Sequence, residues 1–339
     1  MTSGISPYPE EQAGQIAMLR ESAQGLLGSG PTRARAFRFT EPGFDPALLR
    51  QMGEAGWIGV AVPEAAGGTG LGMGEMAALA EEIGSTLAPE PLTALQLSAH
   101  LLGGHPLLKA LLAGEAVVLT AWQDRPNSLE SGGEGPRRFV PMAAGATHIL
   151  WPERDGLRLL GRDEVEITAE ATQDGGHFGT VRPLAPGTAL PGGDLAGALD
   201  RAALATAAEL LGGMEAAFAM TLDYLRTRQQ FGRIIGTFQA LQHKAADARM
   251  QISLTRAAVE EAALAEAAPA LASRAKARAS EAAMAVQQAC IQLHGGIGYT
   301  DDYDVGLYLR RAMVLAPLHG GAALHRRRFM ALSPEMEDS

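Results

Sequence analysis

Residues 226–250 read RTRQQFGRIIGTFQALQHKAADARM, and the glycines inside this stretch separate two long helical patterns. Upstream, Leu204, Leu211, Phe218 and Leu225 recur at a constant interval, with Ala207, Met214 and Leu222 between them. That is the spacing of one helix face, and it leaves Glu209, Asp223 and Arg226 on other faces. Gly232 and Gly236 break the pattern. Downstream, Phe238, Leu241, Ala245, Ala248, Ile252 and Val259 predict a second helix that stops near Pro269. A third spans about Ser273 to His294 and ends at Gly295–Gly296, and DVGLYLRRAMVL and ALHRRRFMAL are shorter. Long helices with short links predict an up-and-down bundle over residues 196–339.

Working outward, residues 115–195 change texture. AVVLTAW, THILWP, LRLLG, EVEIT and HFGTVRP are short β-like runs separated by Gly, Pro, Asp and Asn, and the linker PLAPGTALPGGD closes them. Residues 1–114 read as helices. In DPALLRQMGEAG, Asp45 is placed to cap a helix that has Pro46 at its first position. WIGVAVPEAAGGTGLG breaks the pattern, GEMAALAEEIG resumes it, and LTALQLSAHLLGG adds a further helix. The fold class is therefore mainly α with a small β domain, in three parts: 1–114, 115–195 and 196–339.

With 47% hydrophobic and 19% charged residues, the chain can bury a sizeable core. A net charge of -10 argues against broad nucleic-acid binding, which needs a basic surface. It leaves room for one anionic ligand held by local arginines. The single cysteine, Cys290, excludes a disulfide framework and a thiolate zinc site, and no metal centre is expected. MTSGISPYPEEQAGQ lacks the basic-then-apolar order of a signal peptide, and the longest apolar stretch, Leu204 to Phe218, is interrupted by Glu209 and Glu215. A cytoplasmic protein without a membrane span is the expectation.

Three motifs carry chemistry. Arg228 and Phe231 stand three apart at a helix end, beside Gln230. A guanidinium that forks onto phosphate and a ring that packs on an aromatic system suit a planar, phosphorylated ligand. A surface arginine and a core phenylalanine at a helix corner is the other reading of the same residues. In QLHGGIGYTDDYDVGLYLRRA, residues 292–312, Gly295, Gly296 and Gly298 let backbone N–H groups approach an anion, with Gln292 one turn earlier. A helix stop accounts for one of these glycines. The third motif, VPEAAGGTGLGMGEMAALAEEIG at residues 62–84, matches neither a P-loop nor a dinucleotide-binding turn.

In this order, the three resemble the acyl-CoA dehydrogenase family of flavoproteins, from about residue 45 to 330. The resemblance implies an N-terminal helical domain, a middle β-barrel and a C-terminal four-helix bundle. It also implies FAD as cofactor and an acyl-CoA thioester as substrate, which loses an α-proton to a base and a β-hydride to the flavin. Arg228, Gln230 and Phe231 would reach FAD held mainly by a neighbouring subunit, and Gln292, Gly295 and Gly296 would meet its adenine–pyrophosphate part. An oligomer follows.

Departures from the family pattern are as informative. Many members carry a glutamate in a turn where this chain has His319, followed by Gly320–Gly321. A neutral imidazole can accept a proton in principle, and a polar side chain at a turn is the plainer reading. Other members place the glutamate on the first bundle helix, where ungapped counting reaches Ala202. Asp200 lies two residues away, about 200° around a helix, and also reads as an N-cap for a helix starting at Arg201. His319 and Asp200 are the two candidate bases. In the middle part, LTAWQDRPN keeps Thr120 as a flavin contact but lacks the rest of that family motif. The pattern resembles the shortened, base-lacking subunit of bacterial heterotetrameric acyl-CoA dehydrogenases, which supplies FAD contacts to a related catalytic chain. The alternatives are a complete homo-oligomeric enzyme using Asp200 or His319, and a flavin-free structural relative. The run Arg326, Arg327 and Arg328 reads as a solvated helix face, or as a contact for CoA phosphates.

Overall fold

The computed structural model describes residues 6–333 apart from 132, 134 and 155, so residues 1–5 of the N-terminal stretch lie outside it. Six helices come first: α1 (Glu10–Leu27), α2 (Thr32–Phe37), α3 (Pro46–Glu54), α4 (Met73–Thr86), α5 (Leu92–Leu102) and α6 (Leu107–Leu112). Asp45 caps α3 as expected, its side chain accepting from the Ala47 N–H, with Pro46 in the first turn. Seven strands follow: β1 (Val118–Thr120), β2 (Arg137–Pro141), β3 (His148–Glu153), β4 (Gly156–Gly161), β5 (Val165–Ala171), β6 (His177–Pro183) and β7 (Thr188–Leu190). They form two sheets, ordered β1-β3-β4-β7 and β2-β6-β5, and β1 pairs with β3 in parallel. The C-terminal bundle is α7 (Leu195–Thr227), α8 (Gln239–Leu264), α9 (Pro269–His294) and α10 (Val305–Leu315), with α11 (Ala322–Leu332) packed on α9. Between α7 and α8 the chain makes a hairpin, β8 (Gln229–Gln230) and β9 (Arg233–Ile234), where periodicity suggested a bare helix corner.

Helix α7 is about 50 Å long at 1.5 Å per residue and forms the axis of the molecule. It is long and apolar enough to cross a membrane, but 78% of its most apolar window is buried by neighbouring helices, so it reads as a core helix. Two glycines set its packing on α4. A Cβ on Gly84 would stand 1.9 Å from the Glu209 carbonyl oxygen, and one on Gly212 would stand 2.0 Å from that of Glu81. The two backbones therefore touch, each helix lending a glycine to the other. Nearly all of α4 is buried as a result.

Even the charged residues of α4 are buried, and each finds partners. Glu81 accepts from Arg20 of α1 at 2.9 Å and from Arg256 of α8 at 3.0 Å, while Arg20 also reaches Glu82 at 3.0 Å. Arg256 goes on to Glu215 of α7 at 3.0 Å. These carboxylates hold the Arg256 guanidinium protonated against the desolvation that opposes it. Burying an ionised carboxylate is costly, and such partners offset that cost. The network joins the N-terminal helices to the bundle, which hydrophobic periodicity alone does not specify.

The start of α7 corrects one expectation. Its N-cap is Asp194, which accepts from the Gly197 N–H, and not Asp200. Asp200 lies in the second turn, 3% exposed, where the side chain of a residue well inside the helix turns toward α11.

Candidate active and cofactor site

Two regions carry the motif residues. The first is the bundle end where α7 and α9 finish together. Tyr224 stacks on His294 with ring centroids 4.6 Å apart, and Tyr303 packs on His294 at 4.8 Å. The His294 Nδ1–H donates to the Cys290 carbonyl at 2.8 Å, which orients the ring. This aromatic trio sets the exposed hairpin beside the glycine turn. Arg228, Gln230 and Phe231 are exposed, as are Gln292, Gly295 and Gly296. Phe231 is 91% exposed, so the core-phenylalanine reading is set aside.

The hairpin itself is strained. Its two loop residues, Phe231 and Gly232, have φ of 54° and 78°. A two-residue loop with both φ positive matches the twist of its strands, and Asn-Gly usually fills it. A bulky residue there costs roughly 1–2 kcal/mol, yet the ring is held up to solvent. It rests edge-on against Phe238 at 6.2 Å, and Arg233 lies over that second ring at 4.0 Å. Across from it, Gly295 and Gly296 have nothing within 4 Å of where a Cβ would stand. An aromatic ring, an exposed guanidinium and an open glycine turn together fit a planar ligand with a pyrophosphate arriving from outside the chain. From the N-terminal side, Arg38 grips Asp301 just past the turn, with Nη1 at 2.9 Å, and Arg35 bonds Asp304 at 2.6 Å.

The second region is a cavity of about 880 Å³ between β2, β5, β6 and the turn after α10. Phe139 lines it from a bulge, where the register of β2 against β6 shifts between Arg137 and Val140, and has φ of 60°. Phe178 meets it edge-on at 6.1 Å, and Arg138 and Arg182 add positive charge. A recess of about 60 Å³ shares Phe178, Val314 and Leu318 with this cavity and runs inward to Thr206, Glu209 and His319.

His319 is 3% exposed, with φ of 54°. Thr206 donates its one hydroxyl proton to the Ala202 carbonyl at 2.8 Å. Its oxygen, 2.9 Å from His319 Nδ1, is therefore an acceptor, so Nδ1 carries the ring proton and Nε2 is bare. Burial, then nearby Lys276 and His325, push the imidazole down to about 3. So low a proton affinity makes it a poor general base. The turn is built by others: Lys276, fully buried, donates to the Ala316 carbonyl at 2.8 Å, the Gly320 carbonyl at 2.9 Å and Ser280 at 2.9 Å. His325 Nε2–H donates to the His319 carbonyl at 2.8 Å. Gly320, with φ of 98°, leaves no space for a side chain beside that ring.

The other candidates are corrected by their contacts. Asp200 is clasped by Arg328 through both carboxylate oxygens, with Oδ2 at 2.9 Å, and is not free to take a substrate proton. Arg328 is thereby an internal partner, while Arg326 pairs with Glu281. Thr120 is buried and shares a hydrogen bond with Ser98 at 2.9 Å, away from the large cavity, so its hydroxyl is not offered to a flavin. Glu209, expected off the apolar face of α7, is 7% exposed and lines the recess with no hydrogen bond or ion pair among the described residues. Burial pushes its carboxyl up to about 7, against the pull of Arg311. One signal was available for it: a lone glutamate in an apolar run, seven residues past Ala202 and so on nearly the same helix face at about 100° per residue.

Comparison with known proteins gives a consistent picture. Residues 11–110 match the family description "Acyl-CoA dehydrogenase, N-terminal domain", and residues 194–331 match "Acyl-CoA dehydrogenase, C-terminal domain". Acyl-CoA dehydrogenase IpdE2 of Mycolicibacterium smegmatis is 33% identical over 326 residues, covering 93% of this chain and 97% of that one. Among solved structures, a Tcur3481-Tcur3483 steroid ACAD variant superposes with a TM-score of 0.85 at 30% identity, covering 97% of this chain and 100% of that one. The ChsE4-ChsE5 complex from Mycobacterium tuberculosis gives 0.82 at 25% identity, with 98% of each chain covered.

Proposed function

Because the chain belongs to the acyl-CoA dehydrogenase family, we propose that it is one of two related subunits of a FAD-dependent enzyme for α,β-dehydrogenation of an acyl-CoA thioester. Its exposed bundle end closes the FAD site of a partner chain, and that partner supplies the base. The single observation carrying this is the strained Phe231 hairpin, held open to solvent beside Arg228 and the Gly295–Gly296 turn. A phenylalanine kept in a costly conformation and left wet has a use outside its own chain. The buried, weakly basic His319 and the Arg328-bound Asp200 support placing the base elsewhere. FAD, when bound, is the hydride acceptor. This chain's part is to fork a guanidinium onto phosphate, cover an aromatic face with a ring and leave backbone room at two glycines. The steroid and hetero-oligomer descriptions of the similar structures support a bulky acyl group and a related partner. We place the assembly in the cytoplasm.

A complete homo-oligomer is the second reading, favoured by the cavity of about 880 Å³ in the chain's own β region. Co-expression with a related dehydrogenase chain, followed by flavin counting per chain, separates the two. Flavin on, and turnover by, this chain alone would overturn the first reading.

Two substitutions test the hairpin. Arg228→Ala is expected to weaken FAD retention about tenfold or more, the worth of a hydrogen bond to a charged group, with the melting temperature unchanged. Phe231→Gly is expected to raise the stability of the chain by about 1 kcal/mol through relief of the positive φ, while lowering FAD retention. Stability and flavin content moving in opposite directions is the outcome that supports a ligand-facing ring.

A further inference from the structure

The glycine turn at the open bundle end has little of its own to hold it. Gly295, Gly296 and Gly298 are three of the five residues from Gly295 to Tyr299, and glycine has the most backbone freedom to lose. The two larger side chains of the turn, Ile297 and Tyr299, are 39% and 75% exposed, so neither anchors it in the core. His294 before the turn and Tyr303 after it pack on each other. The link between the turn and Tyr303 is held by charge.

Arg38 forks onto both carboxylate oxygens of Asp301, with Nη1 at 2.9 Å. Arg35 donates from Nη2 to the Asp301 carbonyl at 2.8 Å and from Nε to Asp304 at 2.6 Å, and Arg310 stands 3.5 Å from Asp301. Hydrogen bonds from Arg38, then the charges of Arg35 and Arg310, hold the Asp301 carboxyl well below the usual carboxylate range, so the clasp stays ionised at neutral pH. An isolated exposed ion pair is weak, whereas a bidentate fork inside a network is the exception. Both arginines come from the C-terminal end of α2, which is itself fastened to the turn between β5 and β6. The Phe39 N–H donates to the Gly175 carbonyl at 2.6 Å, and a Cβ on Gly175 would stand 2.3 Å from that of Arg38. Asp174 in the same turn pairs with Arg311 of α10 at 3.1 Å.

We infer that Arg38, with Arg35 beside it, is a positioning residue for the cofactor-closing turn: the clasp on Asp301 and Asp304 keeps the Gly295–Gly296 backbone in the shape that meets a pyrophosphate before one arrives. A turn ordered in advance spares the ligand the entropy cost of ordering it, so the clasp raises affinity without touching the ligand. The inference rests on the FAD-closing role proposed above. The test uses the full chain purified with its partner and flavin. FAD retention is measured as a dissociation constant with the melting temperature alongside, and hydrogen exchange across residues 295–300 is followed in this chain alone. Arg38→Ala and Asp301→Asn are each expected to weaken FAD binding about fivefold or more. Both should speed exchange across 295–300, with the melting temperature within about 2 °C of the wild type. Arg38→Lys, which keeps the charge and loses the fork, should restore part of the retention. The double variant should bind FAD little worse than the weaker single one, because both changes remove one contact.

Unchanged FAD retention in Arg38→Ala, or additive losses in the double variant, overturns the inference. So does a loss of retention with exchange across 295–300 unchanged, since the clasp would then not act through the turn. The FAD-closing role is read separately from Arg228→Ala. If that variant keeps its flavin, the role fails and the positioning inference fails with it. Flavin lost from Arg228→Ala but kept by Arg38→Ala removes the positioning inference alone.

Discussion

Gly84→Ala is expected to destabilise the protein by about 3 kcal/mol or more, read as a drop in denaturation midpoint with an unchanged denaturant slope. The sign is what makes the test sharp. In an exposed helix interior the same change stabilises by about 1 kcal/mol, because alanine has less backbone entropy to lose. Here the new Cβ would stand 1.9 Å from the Glu209 carbonyl oxygen on α7. That obstacle is backbone inside a 33-residue helix, not a side chain able to swing aside. Accommodation means driving α4 and α7 apart along a shared, nearly fully buried face, so many packed atoms lose contact at once. Gly212→Ala, whose Cβ would stand 2.0 Å from the Glu81 carbonyl oxygen, is expected to behave alike. Gly14 on α1, with nothing within 4 Å, is the control and should tolerate alanine or gain from it. A neutral Gly84→Ala would show that α4 and α7 do not pack backbone to backbone.

The second large effect is on the pH dependence of stability. His319 and His325 have native values near 3 and 4, lowered first by burial, whereas an unfolded histidine titrates at about 6.5. The unfolded chain therefore binds more protons, and stability falls as pH drops through about 6.5. From about pH 7 to about pH 5 each histidine removes about 2 kcal/mol. Glu209 acts in the opposite direction. Its native value is about 7, above that of an unfolded glutamate, so the folded state binds the proton first. It returns about 2 kcal/mol over the same interval. The balance for the three groups is a loss of about 2 kcal/mol on acidification. Chemical denaturation at the two pH values is the measurement. His319→Asn, which tolerates the left-handed backbone, is expected to flatten the dependence. Glu209→Gln is expected to steepen it, by removing the offset. If Glu209→Gln leaves the slope unchanged, the carboxyl is not titrating in this interval.

Much of the architecture was readable before any coordinates. Apolar spacing located α7, α8 and α9, because a long helix that buries one face must repeat with its own turn. The β-like runs located β1, β3, β4, β5 and β6 for the corresponding reason. Strand β2, RRFVP, escaped because a bulge at Phe139 breaks its alternation, and β7 because three residues carry no period. The helix start was misplaced by six residues: Asp194 and Asp200 are equally good caps as residue types, and only the fold decides which one meets α11.

The sequence by itself determined the order of elements, the breaks between them and the Arg228–Phe231 and Gln292–Gly296 motifs, since each is written in local spacing and in residues that turns demand. The tertiary structure alone decided which charges are inside. Lys276 reads as one more cation on an alanine-rich helix, yet it lies fully buried under the carbonyls of the 316–320 turn. Glu209 reads as a charge off the apolar face of its helix, yet it ends in a recess with no protein partner among the described residues. Burial of an ionisable group is a property of what packs over it, and those covering elements come from the far side of the chain: α5, β6 and the turn at His319. No periodicity within α7 or α9 carries that information.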